Sequence, residues 1–288
     1  MKINEISVLI GGEAGAGITR SGYLFAKACV RGGLYAFGVN DYQSLIRGGH
    51  NFYIVRIDDE KVYSQIDYVD LLIALNAETV MLHKDELVPG AGIIFDKDDV
   101  TLSPETFDRK DLKFYQVPMK KIVMEELKEQ PIMMNTVALG AAVALVDYDL
   151  TLLEGVLKDT FKEEVAESNI RAARIGHEYT KKNFQDNFEY RLRKTKIADK
   201  RRLFLTGNEA VGLGAIGAGC KFYAAYPMTP LTGLLHFMAA NDREYNMVVI
   251  QPEGEIAAIN MVAGAAFAGA RAMTGTSGGG FCLMSEGL

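Results

Sequence analysis

Three short stretches near the end of this 288-residue chain hold its most reactive combinations of side chains. In "YPMTP", Thr229 stands between Pro227 and Pro230, after the apolar run 222–225. Proline fixes φ at about −65° and lacks a backbone donor, so Tyr226-Pro227 reads as the exit from a strand. Thr229-Pro230 then reads as an N-cap followed by proline at the first helical position. This sets a hydroxyl at a helix mouth on the carboxyl side of a strand, where open α/β sheets bind ligands. In "QPEGEIAAIN", Glu253 and Glu255 follow a strand at 247–251. Acids in a first helical turn answer the helix dipole, which makes capping the plain reading of both. Glu255, however, opens a helix that is apolar on every face, a pattern that implies burial. A buried carboxyl has a raised pKa and can trade protons near neutrality. In "MTGTSGGG", Thr274, Thr276 and Ser277 again place hydroxyls at the carboxyl end of a strand.

A different chemistry is suggested near the start. "VLIGGEAGAGITRSG" runs strand, glycine loop, helix, and backbone N–H groups at a helix N-terminus suit anions. Gly12, Gly15, Gly17, Thr19 and Arg20 are the candidates there, joined by Arg47 beside Gly48 and Gly49 in "YQSLIRGGH". An arginine on a glycine turn can fork onto a carboxylate or phosphate. The dinucleotide fingerprint fails, because counting from Gly15 and Gly17 puts Arg20 at the third glycine, and "LYAFGVN" supplies no ribose-binding acid. A P-loop would need lysine after Gly17, where the chain has Ile18-Thr19. Phosphate or CoA binding and tight structural turns both remain open on these residues.

The elements that must position these groups form an α/β pattern. Short β-rich runs, "ISVLI", "LYAFGV", "NFYIVRI", "DLLIAL", "GIIF" and "LKFYQV", alternate with helical stretches, which predicts a doubly wound sheet. Residues 131–185 turn helical and close a first domain at 1–190. Residues 191–202, "RLRKTKIADKRR", carry seven basic residues against one acid and read as a solvated basic linker. A second α/β domain starts at 203. It has few residues for a complete three-layer unit, so either a partner completes it or the chain is a fragment. In "GNEAVGLGAIGAG" the glycines cost about 1 kcal/mol each in helix stability, which points to close backbone approach.

Bulk numbers narrow the classes. Hydrophobic residues make up 49% and charged ones 24%, a globular composition. The net charge of −6 argues against nucleic acid as a partner. The apolar stretch 256–270 is broken by Asn260 and followed by Arg271, too short for a membrane span of about 20 residues. Cys29, Cys220 and Cys282 are too dispersed for a metal cluster and read as buried thiols in a reducing compartment, making the protein cytoplasmic.

The motifs "GNEAVGLGAIGAGCKFYAAYPMTP" and "EGEIAAINMVAGAAFAGARAMTGTSGGGFCLM" resemble the start of the α subunit of 2-oxoacid:ferredoxin oxidoreductases, whose motif is Tyr-Pro-Ile-Thr-Pro; here Met228 replaces the isoleucine. "GGEAGAG" and "SLIRGG" resemble the γ domain of the same enzymes, in the order found in fused subunits. The resemblance implies a γ-type α/β domain followed by the start of a thiamine-diphosphate pyrimidine-binding domain. It implies oxidative decarboxylation of a 2-oxoacid such as 2-oxoglutarate or pyruvate, with CoA as co-substrate and ferredoxin as acceptor. By that likeness, Thr229 with Tyr226 and Pro227 binds substrate, Glu255 shares a proton with N1′ of the aminopyrimidine ring, and Thr276 and Ser277 contact the cofactor. The likeness also puts Mg2+ and a [4Fe-4S] cluster on a β subunit, no metal on this chain, and no turnover in the isolated chain. A non-catalytic phosphate- or CoA-binding assembly module is the alternative.

Overall fold

The computed structural model describes residues 2–41, 49–96, 98, 109–184, 188–196 and 202–288. They fall into two compact units, Met1–Phe204 and Leu205–Leu288.

In the first unit all six β-rich runs become strands. After a short β1 (Lys2–Ile3) come β2 (Ile6–Glu13), α1 (Ile18–Arg31), β3 (Tyr35–Asp41), β4 (His50–Asp58), β5 (Val69–Ala74), α2 (Ala77–His83), β6 (Leu87–Phe95) and β7 (Lys113–Gln116). The sheet order is β3-β4-β2-β5-β6-β7. Strands β2, β5, β6 and β7 are parallel, and β4 runs antiparallel to both β2 and β3. Strands covered on both faces carry unbroken apolar runs. In β5 every residue is buried, and its single acid, Asp70, accepts the Ser7 amide at 2.8 Å. Alternation sends Val8, Ile10, Leu71 and Ile73 into one apolar cluster and Leu9, Leu72 and Ile93 into another. β3 extends to Asp41, so this strand does end on an acid. The dinucleotide reading fails on topology instead, since β3 pairs antiparallel with β4 rather than parallel beside β2.

The helical part comprises α3 (Met119–Lys121, continued by a π-helical turn, Ile122–Leu127), α4 (Met134–Leu145), α5 (Leu150–Thr160) and α6 (Glu163–Asn183), followed by β8 (Tyr190–Arg191), which pairs with β1. α4 and α6 cross backbone to backbone. A Cβ on Gly140 would lie 2.0 Å from the Ala173 carbonyl oxygen, and one on Gly176 would lie 2.1 Å from that of Val137.

Where it is described, the basic segment exposes Arg193, Lys194 and Lys196 and is also anchored to the first unit. Leu192 is buried, Arg193 pairs with Asp147 at 2.7 Å, Lys194 pairs with Asp149, and the Thr195 amide donates to the Gly32 carbonyl. The charges are met by acids at the start of α5, a pairing between segments far apart in sequence.

The second unit contains α7 (Gly207–Gly217), β9 (Phe222–Ala224), α8 (Thr232–Ala240), β10 (Val248–Ile250), α9 (Glu255–Phe267), β11 (Ala272–Met273) and α10 (Gly278–Met284). Its parallel sheet has the order β10-β9-β11. Tyr223, Leu234, Leu235 and Met238 form its main core. Four expectations are corrected here. α8 starts at Thr232 behind Leu231, so Thr229 is not an N-cap, nor is Pro230 a first helical residue. α9, apolar on every face, buries only Glu255, Ala258 and Ile259. A Cβ on Gly207, Gly214 or Gly217 would meet nothing within 4 Å, so most of the glycines around α7 answer no close approach inside the chain. Cys29 and Cys220 are buried, whereas Cys282 is exposed. Among the described residues, no helix is long and apolar enough to cross a membrane.

Candidate functional site

In the second unit the carboxyl ends of all three parallel strands open onto one edge. β9 leads into 226–230, β10 into Glu255, and β11 into 274–277. The three exits are tied together. The Ala225 amide donates to the Ile250 carbonyl at 3.1 Å, and the Ser277 hydroxyl donates to the Thr229 carbonyl at 3.0 Å. The Thr276 hydroxyl faces the Met228 sulfur at 3.9 Å, a weak donor–acceptor contact. Thr229 therefore joins the site through its backbone, with its side chain exposed; Tyr226 is exposed and Pro227 half-buried beside it.

Of the two glutamates, Glu253 is exposed and Glu255 is 5% exposed. Glu255 occupies the first turn of α9 behind Gly254, where the helix dipole favours a carboxylate. Its Oε1 is buried and has no hydrogen-bond partner, and so is the Thr274 Oγ1. Buried polar atoms are nearly always satisfied, so a carboxyl oxygen left without a partner among the described residues is a group whose hydrogen-bonding need calls for a donor. The ring nitrogen of an aminopyrimidine, carrying or accepting one proton, is such a partner. The residues present thus fit the pyrimidine half of thiamine diphosphate.

The first unit's loop offers less. Gly15, Ala14, Glu13, Ile132 and Asn135 line a cleft of about 450 Å3 at the carboxyl end of β2. Each candidate there has a local account. Gly12 is buried at the end of β2, where a Cβ would lie 3.0 Å from Ile18. Gly15 and Gly17 take positive φ values of 95° and 77°, which favour glycine, and Asn135, donating to the Ala16 carbonyl, sits where a Gly17 side chain would go. Thr19 donates to Asn40 at 2.8 Å, and the Arg20 guanidinium lies over the Phe161 ring, so neither turns to the cleft. Glu13 adds an exposed acid to its rim. Arg47 lies outside the described residues.

Sequence reasoning missed two features. Gly280, packed against Glu255, was indistinguishable within "GGG". His50 and His83, 33 residues apart, meet at 2.8 Å through their Nε2 atoms, and His83 Nδ1 lies 3.0 Å from Glu86. Burial, with His83 beside it, holds the His50 pKa below its ordinary value. No spacing signal predicts that pair.

Residues 7–179 match the pyruvate ferredoxin/flavodoxin oxidoreductase family, and residues 213–288 match the pyruvate flavodoxin/ferredoxin oxidoreductase, thiamine-diphosphate-binding, family. The chain is 31% identical to the 2-oxoacid:ferredoxin oxidoreductase α subunit of Sulfolobus sp. over 341 aligned positions, covering 99% of this chain and 52% of that one. It is 54% identical over 84 residues to the 2-oxoglutarate synthase subunit KorA of Archaeoglobus fulgidus, covering 29% of this chain and 24% of that one. The structure of the 2-oxoglutarate:ferredoxin oxidoreductase from Magnetococcus marinus, with 2-oxoglutarate, coenzyme A and succinyl-CoA bound, superposes with a TM-score of 0.85 at 34% identity, over 98% of this chain and 49% of that one. The chain spans about half the length of the curated full-chain relatives it matches. With the first family matched over more than half of its residues, the chain belongs to the pyruvate ferredoxin/flavodoxin oxidoreductase family.

Proposed function

We propose that this chain is the γ/α-type component of a 2-oxoacid:ferredoxin oxidoreductase and that Glu255 activates its thiamine diphosphate. The observation that carries this reading is the Glu255 Oε1 atom, buried without a partner at the shared carboxyl edge of three parallel strands. When bound, the cofactor supplies the electron sink for loss of carbon dioxide from a 2-oxoacid. The protein's own part is geometric and protonic. Glu255 holds or releases one proton at Oε1 inside a site that excludes water, which strengthens that interaction. Thr229, aimed by Pro227 and Pro230 and tied through its carbonyl to Ser277, presents its hydroxyl to the substrate, with Tyr226 and Pro227 forming the adjoining wall. Thr276 and Ser277 border the cofactor.

Likeness to the 2-oxoglutarate synthase subunit of Archaeoglobus fulgidus and to the 2-oxoglutarate-bound enzyme of Magnetococcus marinus favours 2-oxoglutarate as the 2-oxoacid. The co-substrate is CoA and the electron acceptor is ferredoxin. A β subunit brings the Mg2+-diphosphate site and the [4Fe-4S] cluster, the assembly is cytoplasmic, and the chain alone does not turn over. The first unit's cleft is not assigned as a phosphate site, because its rim carries Glu13 while Thr19 and Arg20 are engaged elsewhere. The test is viologen reduction by the αβ complex with 2-oxoglutarate and CoA. Glu255→Ala should lower kcat by at least about 100-fold, the scale of one proton-transfer group, with the complex still eluting intact. Unchanged turnover would refute the assignment, and faster turnover of pyruvate than of 2-oxoglutarate would refute the substrate.

A further inference from the structure

Gly278, Gly279 and Gly280 look alike in sequence but face different surroundings. A Cβ added to Gly278 or Gly279 would meet nothing within 4 Å. One added to Gly280 would lie 2.0 Å from the Thr276 Oγ1, 2.8 Å from the Glu255 Oε1 and 3.1 Å from the Glu255 Cγ. The hydroxyl and the unpartnered carboxyl oxygen thus lie within 2.8 Å of one point that only the absence of a side chain leaves empty. The Thr276 hydroxyl faces the Met228 sulfur, and the neighbouring Ser277 is fastened to the Thr229 carbonyl. A methyl group at 280 would therefore displace the Thr276 hydroxyl, the nearer atom, and with it the carboxyl, which ends a flexible side chain. We infer that Gly280 is a positioning residue for Glu255: its missing side chain is the space that lets the carboxyl lie back against α10 beside Thr276, in the orientation in which it would meet the cofactor.

This inference rests on the reading of Glu255 given above, and the two can fail separately. The experiment titrates the αβ complex calorimetrically with thiamine diphosphate and with its analogue in which ring nitrogen N1′ is replaced by C–H. The ratio of the two affinities reports the Glu255 contact, whereas a general loss of packing weakens both ligands alike and leaves the ratio unmoved. In the unmodified complex the ratio should be about tenfold or more, the affinity equivalent of one strong hydrogen bond, and Glu255→Ala should bring it to about one. Gly280→Ala should also bring it toward one although the glutamate is present, while Gly279→Ala keeps the full ratio. If Gly280→Ala does not fold, the double variant Gly280→Ala with Thr276→Ala removes the closest clash, keeps the one with the carboxyl, and should show the same collapse. A full ratio in the folded 280 variant overturns the positioning role and leaves Glu255 standing. A full ratio in Glu255→Ala overturns the cofactor assignment and this inference with it.

Discussion

Replacing Glu255 by methionine should make the free chain more stable. The Oε1 atom is buried and unpartnered, which costs about 1–3 kcal/mol relative to hydration in the unfolded chain. Methionine has nearly the same length and no polar atom to strand, so it recovers that cost. Against this stands the favourable position of a carboxylate in the first turn of α9, worth about 0.3–1 kcal/mol. The difference leaves a net gain of about 1 kcal/mol, or a rise of about 4–8 °C in Tm if the second unit unfolds on its own transition. Differential scanning calorimetry of the full chain is the assay, since the protein has no tryptophan to report the second unit by fluorescence. Glu255→Gln is the control: it keeps the shape and still strands a polar atom, so it should gain little. A fall in Tm for Glu255→Met would show that Oε1 is satisfied in solution and would remove the physical basis for calling the carboxyl poised. A rise would display a site kept at the expense of stability.

Three other perturbations follow from the first unit and the thiols. Gly176→Ala should destabilise by about 3 kcal/mol despite the better helix former, because the new methyl would meet the Val137 carbonyl oxygen at 2.1 Å and backbone cannot rotate away; Gly155→Ala, whose Cβ would meet only the tip of Arg31 at 3.2 Å, should be near neutral in the same urea titration. Burial lowers the pKa values of His50 and His177 from the ordinary 6.5, with His83 and Lys181 respectively as the next cause. Their neutral forms are thus favoured in the fold, the unfolded chain binds more protons below 6.5, and Tm should fall as pH drops from neutrality through that value; His50→Gln should flatten the slope, and an unchanged slope would acquit the pair. Alkylation of the native chain should modify Cys282 and spare Cys29, which is buried with its pKa pushed up; a labelled Cys29 peptide in the mass spectrum would contradict the core packing.

Much of the fold was legible because its strands are buried on both faces, which leaves apolar runs such as "DLLIAL" that few other structures would tolerate. What failed shares a physical cause: composition tells which faces are apolar, not what covers them. α4 and α9 are both apolar all round, yet α4 is buried from Thr136 to Leu145 while α9 buries three residues. The difference is that α4 packs against α6 through paired glycines, a contact between residues about 35 positions apart. The cap assigned to Thr229 failed for a related reason. Hydroxyl then proline is a good local signal for a helix start, but here the chain uses another turn before α8 begins at Thr232 and spends the Thr229 carbonyl on Ser277.

The two glycine-bearing sites separate on what their polar atoms lack. At the first unit's loop, Thr19 has Asn40, Arg20 has Phe161 and the Gly17 position has Asn135 packed against it, so these three described candidates are engaged within the protein. At the second unit's edge, Glu255 Oε1 has no partner among the described residues. Lack of a partner alone would be a poor criterion, since the Ser7 and Tyr115 hydroxyls and the Oδ1 atom of Asp70 are also buried without one. Those three lie within strands of the six-stranded sheet, and Asp70 spends its other oxygen on the Ser7 amide. Glu255 combines an ionisable group, a helix N-terminus and the carboxyl ends of three parallel strands, and its buried, unpartnered oxygen lies where a side chain at 280 would intrude. A methyl at 280 would collide with both Thr276 and Glu255, so the glycine is a requirement of this arrangement and not a void left in the packing.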